Sequence, residues 1–308
     1  FDSVFTAEAY GSDCFTPLAA IAATTSKIRL CTGVMQLSAR TPVCAAMTAM
    51  TLDHLSNGRL CLGVGVSGPQ VVEGWYGQQF KRPLERTREW LDIFQQAVSR
   101  EAPVEFHGSQ YNLPYQGPNN LGLGKPLKSI THPLRKKIPV FLGAEGPKNI
   151  ALAAEKFDGW MPIFVSPYRL NIFDESLANK SDDFEINAMV NCIVNDNLEE
   201  ALYPGKMTMA LYLGGMGARH DNFHKNLMGF GDEAEKVQDL WYEGKHDEAI
   251  KAVPDALVDE ISLLGPKERI RERLQDWKKS GVTTLMIGHR DHFDTSIETM
   301  EFIANEVV

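Results

Sequence analysis

Residues Lys27–Pro69 read KIRLCTGVMQLSARTPVCAAMTAMTLDHLSNGRLCLGVGVSGP. Two short apolar runs, Ile28 to Leu37 and Arg59 to Val66, flank a segment whose apolar residues recur at helical spacing. That pattern is one βαβ unit. The helix begins at Thr41-Pro42, a capping residue followed by the proline that first turns prefer, and stops before Asn57-Gly58. Gly33 precedes Val34 inside the first run and Ser67-Gly68-Pro69 closes the second. Small residues at strand ends let a flat ring or a phosphate approach the backbone.

Outward from this unit the alternation continues. Asp2 to Tyr10 is a β-prone run, and Thr16-Pro17 starts a helix through Thr25. Pro83 to Arg100 is amphipathic, with Leu84, Trp90, Leu91, Phe94 and Val98 among its apolar positions. Strands are expected at Pro139 to Ala144, Gly159 to Val165, Phe184 to Val194 and Thr283 to Gly288, with helices at Ile150 to Phe157, through much of Leu198 to Lys245, at Pro266 to Lys279 and at the C-terminus behind Asp294-Thr295-Ser296. Seven strands nearly all followed by helices fit an α/β fold, a (β/α)8 TIM barrel over 1–308, whose first strand is expected to precede Phe1. Residues 101–137 interrupt the alternation. VEFHGSQYNL reads as a hairpin, and the Gly/Pro/Asn-rich tract behind it is expected to be an insertion acting as a lid or binding loop.

The chain has 308 residues, 44% of them hydrophobic, and no unbroken apolar run of membrane length. A formal charge of −9 argues against nucleic acid as a partner, because binding phosphate backbones needs a basic surface. Cys14, Cys31, Cys44, Cys61 and Cys192 are odd in number and form no CxxC, so reduced thiols in a cytoplasmic protein are expected.

In a barrel, ligands bind at the carboxyl ends of strands. Those ends are Thr6 to Tyr10, Gly33 to Gln36, Val66 to Gln70, Gly143 to Lys148, Ile163 to Ser166 and Gly288 to Arg290. They are poor in charge and rich in Gly, Ala and Ser, which suits a planar cofactor that does its own redox chemistry and suits hydrolysis by paired acids badly. Gly146-Pro147-Lys148-Asn149 opens a helix directly after a strand, where a phosphate could meet free N–H groups; a simple helix-starting turn is the other reading. His220 and His224 stand four apart without the Glu of a zinc-hydrolase motif, so no metal is expected. Asp53-His54, near a helix end, is read as structural.

The runs KIRL and TGV, then Thr41-Pro42, LDHLSNGR at 52–59 and LGVG at 62–65 resemble the bacterial luciferase-like superfamily. VSGPQVVEGW at 66–75 and GPKN at 146–149 with Asp158-Gly159-Trp160 are similar to its branch of oxidoreductases dependent on coenzyme F-420, a deazaflavin. The resemblance implies a dimeric (β/α)8 barrel that transfers a hydride between the deazaflavin and a small organic substrate. It implies a cis peptide at Gly33-Val34 pressing on the central ring. It further implies cofactor contacts from Gln36, Ser67, Gly68, Gly143, Ala144, Glu145, Gly146 and Ile163, with Glu145 standing where the family often has a small residue. Where several members carry Asp-His, this chain has Glu8-Ala9, which leaves Glu8 or Tyr10 as the expected proton donor. Two alternatives remain: a two-component monooxygenase using reduced FMN and dioxygen, and a barrel that binds a ligand without catalysis.

Overall fold

The structure, a computed structural model, describes residues 1–215, 228–288 and 293–307. The backbone forms two compact units, Phe1–Gly143 with Leu152–Gly159, and Ala144–Ala151 with Trp160–Val308.

In the first unit four parallel strands lie side by side in the order β1 (Ser3–Thr6), β2 (Arg29–Gln36), β3 (Leu60–Gly65) and, after the insertion, Val140–Gly143. Their register runs Thr6↔Thr32, Leu30↔Leu60 and Gly65↔Gly143, so the carboxyl ends finish together. Leu30, Leu60, Leu62, Val64 and Phe141 are fully buried or nearly so under the helices α1 (Phe15–Thr24), α2 (Pro42–Leu55), α3 (Pro69–Gly74) and α4 (Pro83–Ser99). Thr41 caps α2 by accepting from Cys44 N, with Pro42 at the first position. On α4, Trp90 and Phe94 are four residues apart and stack with ring centroids 5.1 Å apart, as that spacing permits. The first helix begins at Phe15, earlier than Thr16-Pro17 suggested, because the Asp13 carboxylate accepts from both Phe15 N and Thr16 N. β1 ends at Thr6 instead of continuing to Tyr10, since the chain then turns to give Glu8 to β2.

The insertion contains the expected hairpin, β4 (Phe106–His107) antiparallel to β5 (Asn112–Leu113). Glu89 of α4 is buried and accepts from the backbone N–H groups of Ser109, Gln110 and Tyr111 at 2.8, 2.8 and 2.9 Å. Further on, Arg135 forks onto buried Asp53 and also donates to Leu60 O, and His54 Nε2 meets His132 O at 2.8 Å. Asp53 and Leu60 mark the C-terminal end of α2 and the start of β3. Residues 101–137 thus join the end of α4 to the start of β6 (Val140–Gly143), with Arg135 held at the start of β3 and Tyr111 of the hairpin accepting from Arg86 of α4.

In the second unit β8 (Glu185–Val194) pairs in parallel with β9 (Ser262–Gly265) and β10 (Thr284–Gly288). β9 is absent from the sequence reading and brings the parallel strands to eight. Its four buried residues are too few to show a period, and the short helix α9 (Asp255–Glu260) leads straight into it. The strand expected over 159–165 shrinks to β7 (Gly159–Trp160) and one bridge, Ile163↔Met189, because Pro162 has no N–H and Phe164 adopts a φ of 57°. The helix α5 (Pro147–Lys156) starts three residues before Ile150, its first turn closed by Asn149 N and Ile150 N donating to Gly146 O. Around the strands lie α6 (Leu198–Ala210), α7 (Gly231–Tyr242), α8 (His246–Ala252), α10 (Lys267–Lys279) and α11 (Phe293–Val307). Asn197 caps α6 through Glu199 N and Glu200 N. No described helix is long and apolar enough to cross a membrane.

Candidate active site

The first unit builds its site at the aligned carboxyl ends of β1, β2 and β3. The β2–β3 register shifts between Thr32 and Met35, and within that bulge the Gly33–Val34 peptide is cis. The bulge turns Gly33 and Val34 toward the open face while Thr32, Met35 and Gln36 on either side stay buried. The Val34 side chain then lies directly over Gly65 of β3: a Cβ on Gly65 would stand 2.8 Å from Val34 Cγ2. Beyond the bulge, Gln36, Gly65 and Gly143 pair across three adjacent strands.

Glu8 is 7% exposed. Its backbone N–H donates to Val34 O at 3.3 Å, and its carboxylate accepts from Gln36 N at 3.1 Å and from Arg40 Nη1 at 2.6 Å. Arg40 also sits 5.0 Å over the Phe15 ring and 3.9 Å from Asp13. Glu8 thus stands as a paired anion bracing the far side of the bulge. Burial raises the Tyr76 hydroxyl above its ordinary pKa, and the nearby Glu8 charge adds to that. Burial pushes the Cys14 thiol up to about 12, with Glu8 again contributing, so this cysteine is an inert core residue. Tyr10, with φ 30° and 63% exposed, presents its ring to solvent.

At these strand ends Gln36 carries a signature of a ligand position. The residue is buried, and among the described residues its side-chain carbonyl oxygen has no hydrogen-bond partner. A buried acceptor left unmatched costs about 1–3 kcal/mol, which a donor on a bound molecule would recover. Ser67 (φ 57°) and Gly68 follow β3 by two and three residues; Gly68 is the N-cap of α3, and its carbonyl accepts from Val71 N and Val72 N.

In the second unit, Trp160 Nε1 donates to Ala144 O at 2.7 Å and fixes the turn before α5. Beside it Ile163 N donates to Glu145 Oε1 at 3.3 Å. Burial pushes the Glu145 carboxyl up to about 8, opposed only by that backbone bond. On β8, Asn187 is 1% exposed and neither polar atom of its side chain has a partner among the described residues.

Among the residues expected at the site, the structure gathers Glu8, Gly33, Val34, Gln36 and Gly143 around Gly65, with Ser67 and Gly68 just beyond, and separately joins Glu145 to Ile163 beside Ala144 and Gly146. Sequence reasoning missed Arg40, Trp160 and Asn187. Asn187 had a signal, one of two amides set inside the apolar run FEINAMVNCIV. His220 and His224 lie outside the described residues, and among the described ones no group of His, Cys, Asp and Glu is placed to hold a metal.

The sequence pattern described as luciferase-like monooxygenase matches residues 1–284. The chain belongs to the luciferase-like monooxygenase family. A protein of Mycobacterium tuberculosis named as a coenzyme F-420-dependent oxidoreductase is 50% identical to this luciferase-like chain over 299 residues, covering 93% of it and 86% of the relative. The structure of a coenzyme F-420-dependent tetrahydromethanopterin reductase from Methanopyrus kandleri superposes with a TM-score of 0.78 at 20% identity, over 99% of this chain and 90% of that one. The FMN complex of the oxygenating constituent of 3,6-diketocamphane monooxygenase, from Pseudomonas putida, gives 0.65 at 19% identity, over 100% and 88%. The strand and helix alternation is accordingly the (β/α)8 barrel class of the luciferase-like family.

Proposed function

We propose that this luciferase-like protein is an oxidoreductase that transfers a hydride between coenzyme F-420 and a small organic substrate. The relative at 50% identity supports the cofactor, and the observation that carries the site is the Val34 shelf over Gly65 flanked by the unmatched Gln36 amide oxygen. Both would suit a planar ring, the shelf through apolar contact and the amide oxygen as an acceptor. The bound deazaflavin supplies the hydride chemistry itself. The chain's own residues orient and shield. Gly33, Val34, Gln36, Ser67 and Gly68 would hold the ring, Val34 as an apolar shelf and Gln36 as an acceptor. Glu8, held by Arg40, keeps the bulge in position. Gly143, Ala144, Glu145 and Gly146 are the proposed turn for the cofactor's phosphate, and Ile163 is a further proposed cofactor contact.

The ion pair of Glu8 with Arg40 argues for a positioning role and leaves Tyr10, exposed in the loop after β1, as the proton donor from this unit. The cysteines are free, which supports a cytoplasmic location, and the family resemblance supports a homodimer. Fluorescence titration of the purified protein with coenzyme F-420 tests the cofactor. Saturable binding is expected, and retention of FMN with no affinity for the deazaflavin would replace this reading by the oxygen-dependent one. Sedimentation velocity reads the oligomeric state.

A further inference from the structure

Between Glu105 and Glu145 the chain has no acidic residue and five basic ones, Lys125, Lys128, Arg135, Lys136 and Lys137, although the whole chain carries −9. Within that stretch residues 121–130 read LGLGKPLKSI. Leu121 and Leu123 are each 83% exposed, Leu127 is 67% exposed and Ile130 96%. Single apolar side chains in water are ordinary, but four aliphatic ones within ten residues form the kind of patch that marks a contact surface.

These side chains do not belong to a frayed end. Val104 N donates to Leu127 O at 2.8 Å, Arg100 Nε to Ser129 O at 2.8 Å and Lys128 Nζ to Glu101 O at 2.9 Å. Gly122 N donates to Asn120 Oδ1 at 2.8 Å, and Gly124 lies so close to Pro114 that a Cβ there would stand 3.2 Å from the proline Cβ. All of these groups belong to the first unit. The backbone is thus pinned while its aliphatic side chains face water. Gly122, Gly124 and Pro126 deny the segment the helix or strand period that would turn those side chains inward.

The charges select the partner. Arg135 is taken up by Asp53 and Lys137 by Asp158, and Lys136 stands 4.0 Å from Glu101. Lys125 and Lys128, interleaved with the leucines, are exposed and make no ion pair among the described residues. A second copy of this chain meeting the patch across a two-fold axis would set these lysines against their own copies. Protein interfaces favour Trp, Tyr or Arg as central anchors, and 121–130 has none of them. Aliphatic side chains interleaved with lysines are instead suited to the boundary between the headgroups and acyl chains of an anionic bilayer.

We propose that residues 121–130 dock this protein on an anionic phospholipid bilayer. Leu121, Leu123, Leu127 and Ile130 enter the headgroup boundary, and Lys125 and Lys128 meet lipid phosphates. The contact lies on the bilayer without spanning it, and it is independent of the cofactor reading.

Vesicle flotation tests it, with vesicles of phosphatidylcholine alone and of phosphatidylcholine mixed with phosphatidylglycerol. Wild type is expected to float with the mixed vesicles and to stay behind with the neutral ones, and added salt should reduce the bound fraction. Lys125→Gln/Lys128→Gln should cut the partition coefficient by about fivefold per lysine, and Leu123→Ser/Ile130→Ser by about tenfold or more. The replaced side chains are exposed, so both variants are expected to keep the wild-type Tm. Wild type that ignores the mixed vesicles, binds both kinds equally, or is matched in binding by the serine variant overturns the proposal. Self-association in sedimentation velocity that the serine variant abolishes, with no vesicle binding by wild type, would assign the patch to a second copy and overturn it too. Capture of an acidic protein without vesicle binding would overturn it in favour of that partner.

Discussion

Replacing Gly65 by alanine puts the Val34 shelf under direct stress. Gly65 is fully buried, accepts from Leu37 N at 3.0 Å, and lies between Gln36 and Gly143 in the ladder, so its backbone has no direction in which to retreat. The new Cβ would meet Val34 Cγ2 at 2.8 Å, well inside normal contact. Overpacking of this kind costs about 1–3 kcal/mol, which for a chain of this size lowers Tm by roughly 2–6 °C. The strain should fall on Val34, the half-exposed partner, and shift it off the face proposed to hold the ring. Cofactor affinity is then expected to drop by about tenfold or more, since each 1.4 kcal/mol is a factor of ten. The decisive assay is a double-mutant cycle. Trimming the neighbour in Gly65→Ala/Val34→Ala removes the colliding methyl, so the two changes should couple favourably by about 1 kcal/mol in thermal or denaturant unfolding. Strict additivity, or a Gly65→Ala protein with wild-type stability and affinity, would refute the argument that glycine is required here by Val34.

Arg40→Met should destabilise by about 3–5 kcal/mol, because it strands the Glu8 carboxylate in a buried site, and Glu8→Gln/Arg40→Met should recover much of that in the same urea titration. The Glu145 carboxyl has a folded pKa of about 8 against an ordinary value of 4.5, so its contribution to stability is fully present below pH 4.5 and is lost as pH rises through 8. Wild type should therefore lose stability relative to Glu145→Gln between pH 5 and 9, by at most about 1.4 kcal/mol for each step of one in pH, as read by Tm against pH; parallel curves would contradict the raised value. Glu89→Gln should weaken the hairpin's attachment by about 1–3 kcal/mol and make residues 106–117 the first point of attack in limited proteolysis, with the rest of the chain resistant.

The β2–α2–β3 unit was legible because period, cap and punctuation agree there: apolar runs at both edges, Thr41-Pro42 at the helix start and Asn57-Gly58 at its end. Where those signals part company, reading failed. SLLG is a strand by its neighbours, not by any pattern of its own, and Pro162 undid a run that composition alone marks as extended. The glycines and the Gln36 position of the site were legible as strand ends. The character of Glu8 was not, because its partner Arg40 lies 32 residues away and reaches it only once β1 and β2 pair. The hairpin inside 101–137 was legible as VEFHGSQYNL, but its anchor was not, because Glu89 precedes the residues it holds by 20 to 22 positions.

The Glu89 clamp leaves unequal freedom for change along the hairpin. It holds residues 109–111 through main-chain N–H groups, with a hydroxyl contact from Ser109 as an addition, so the side chains of Ser109 and Gln110 are open to drift or to deliberate replacement, while Tyr111 is kept by its contacts with Arg86. Gly108 has no such latitude, since a Cβ there would collide with the Glu89 carboxylate and the Phe106 ring. The tip is thus a natural grafting point: a short epitope or a labelling residue placed at Gln110 would ride on a fixed carboxylate anchor, far along the chain from the strand ends where the cofactor is proposed to bind.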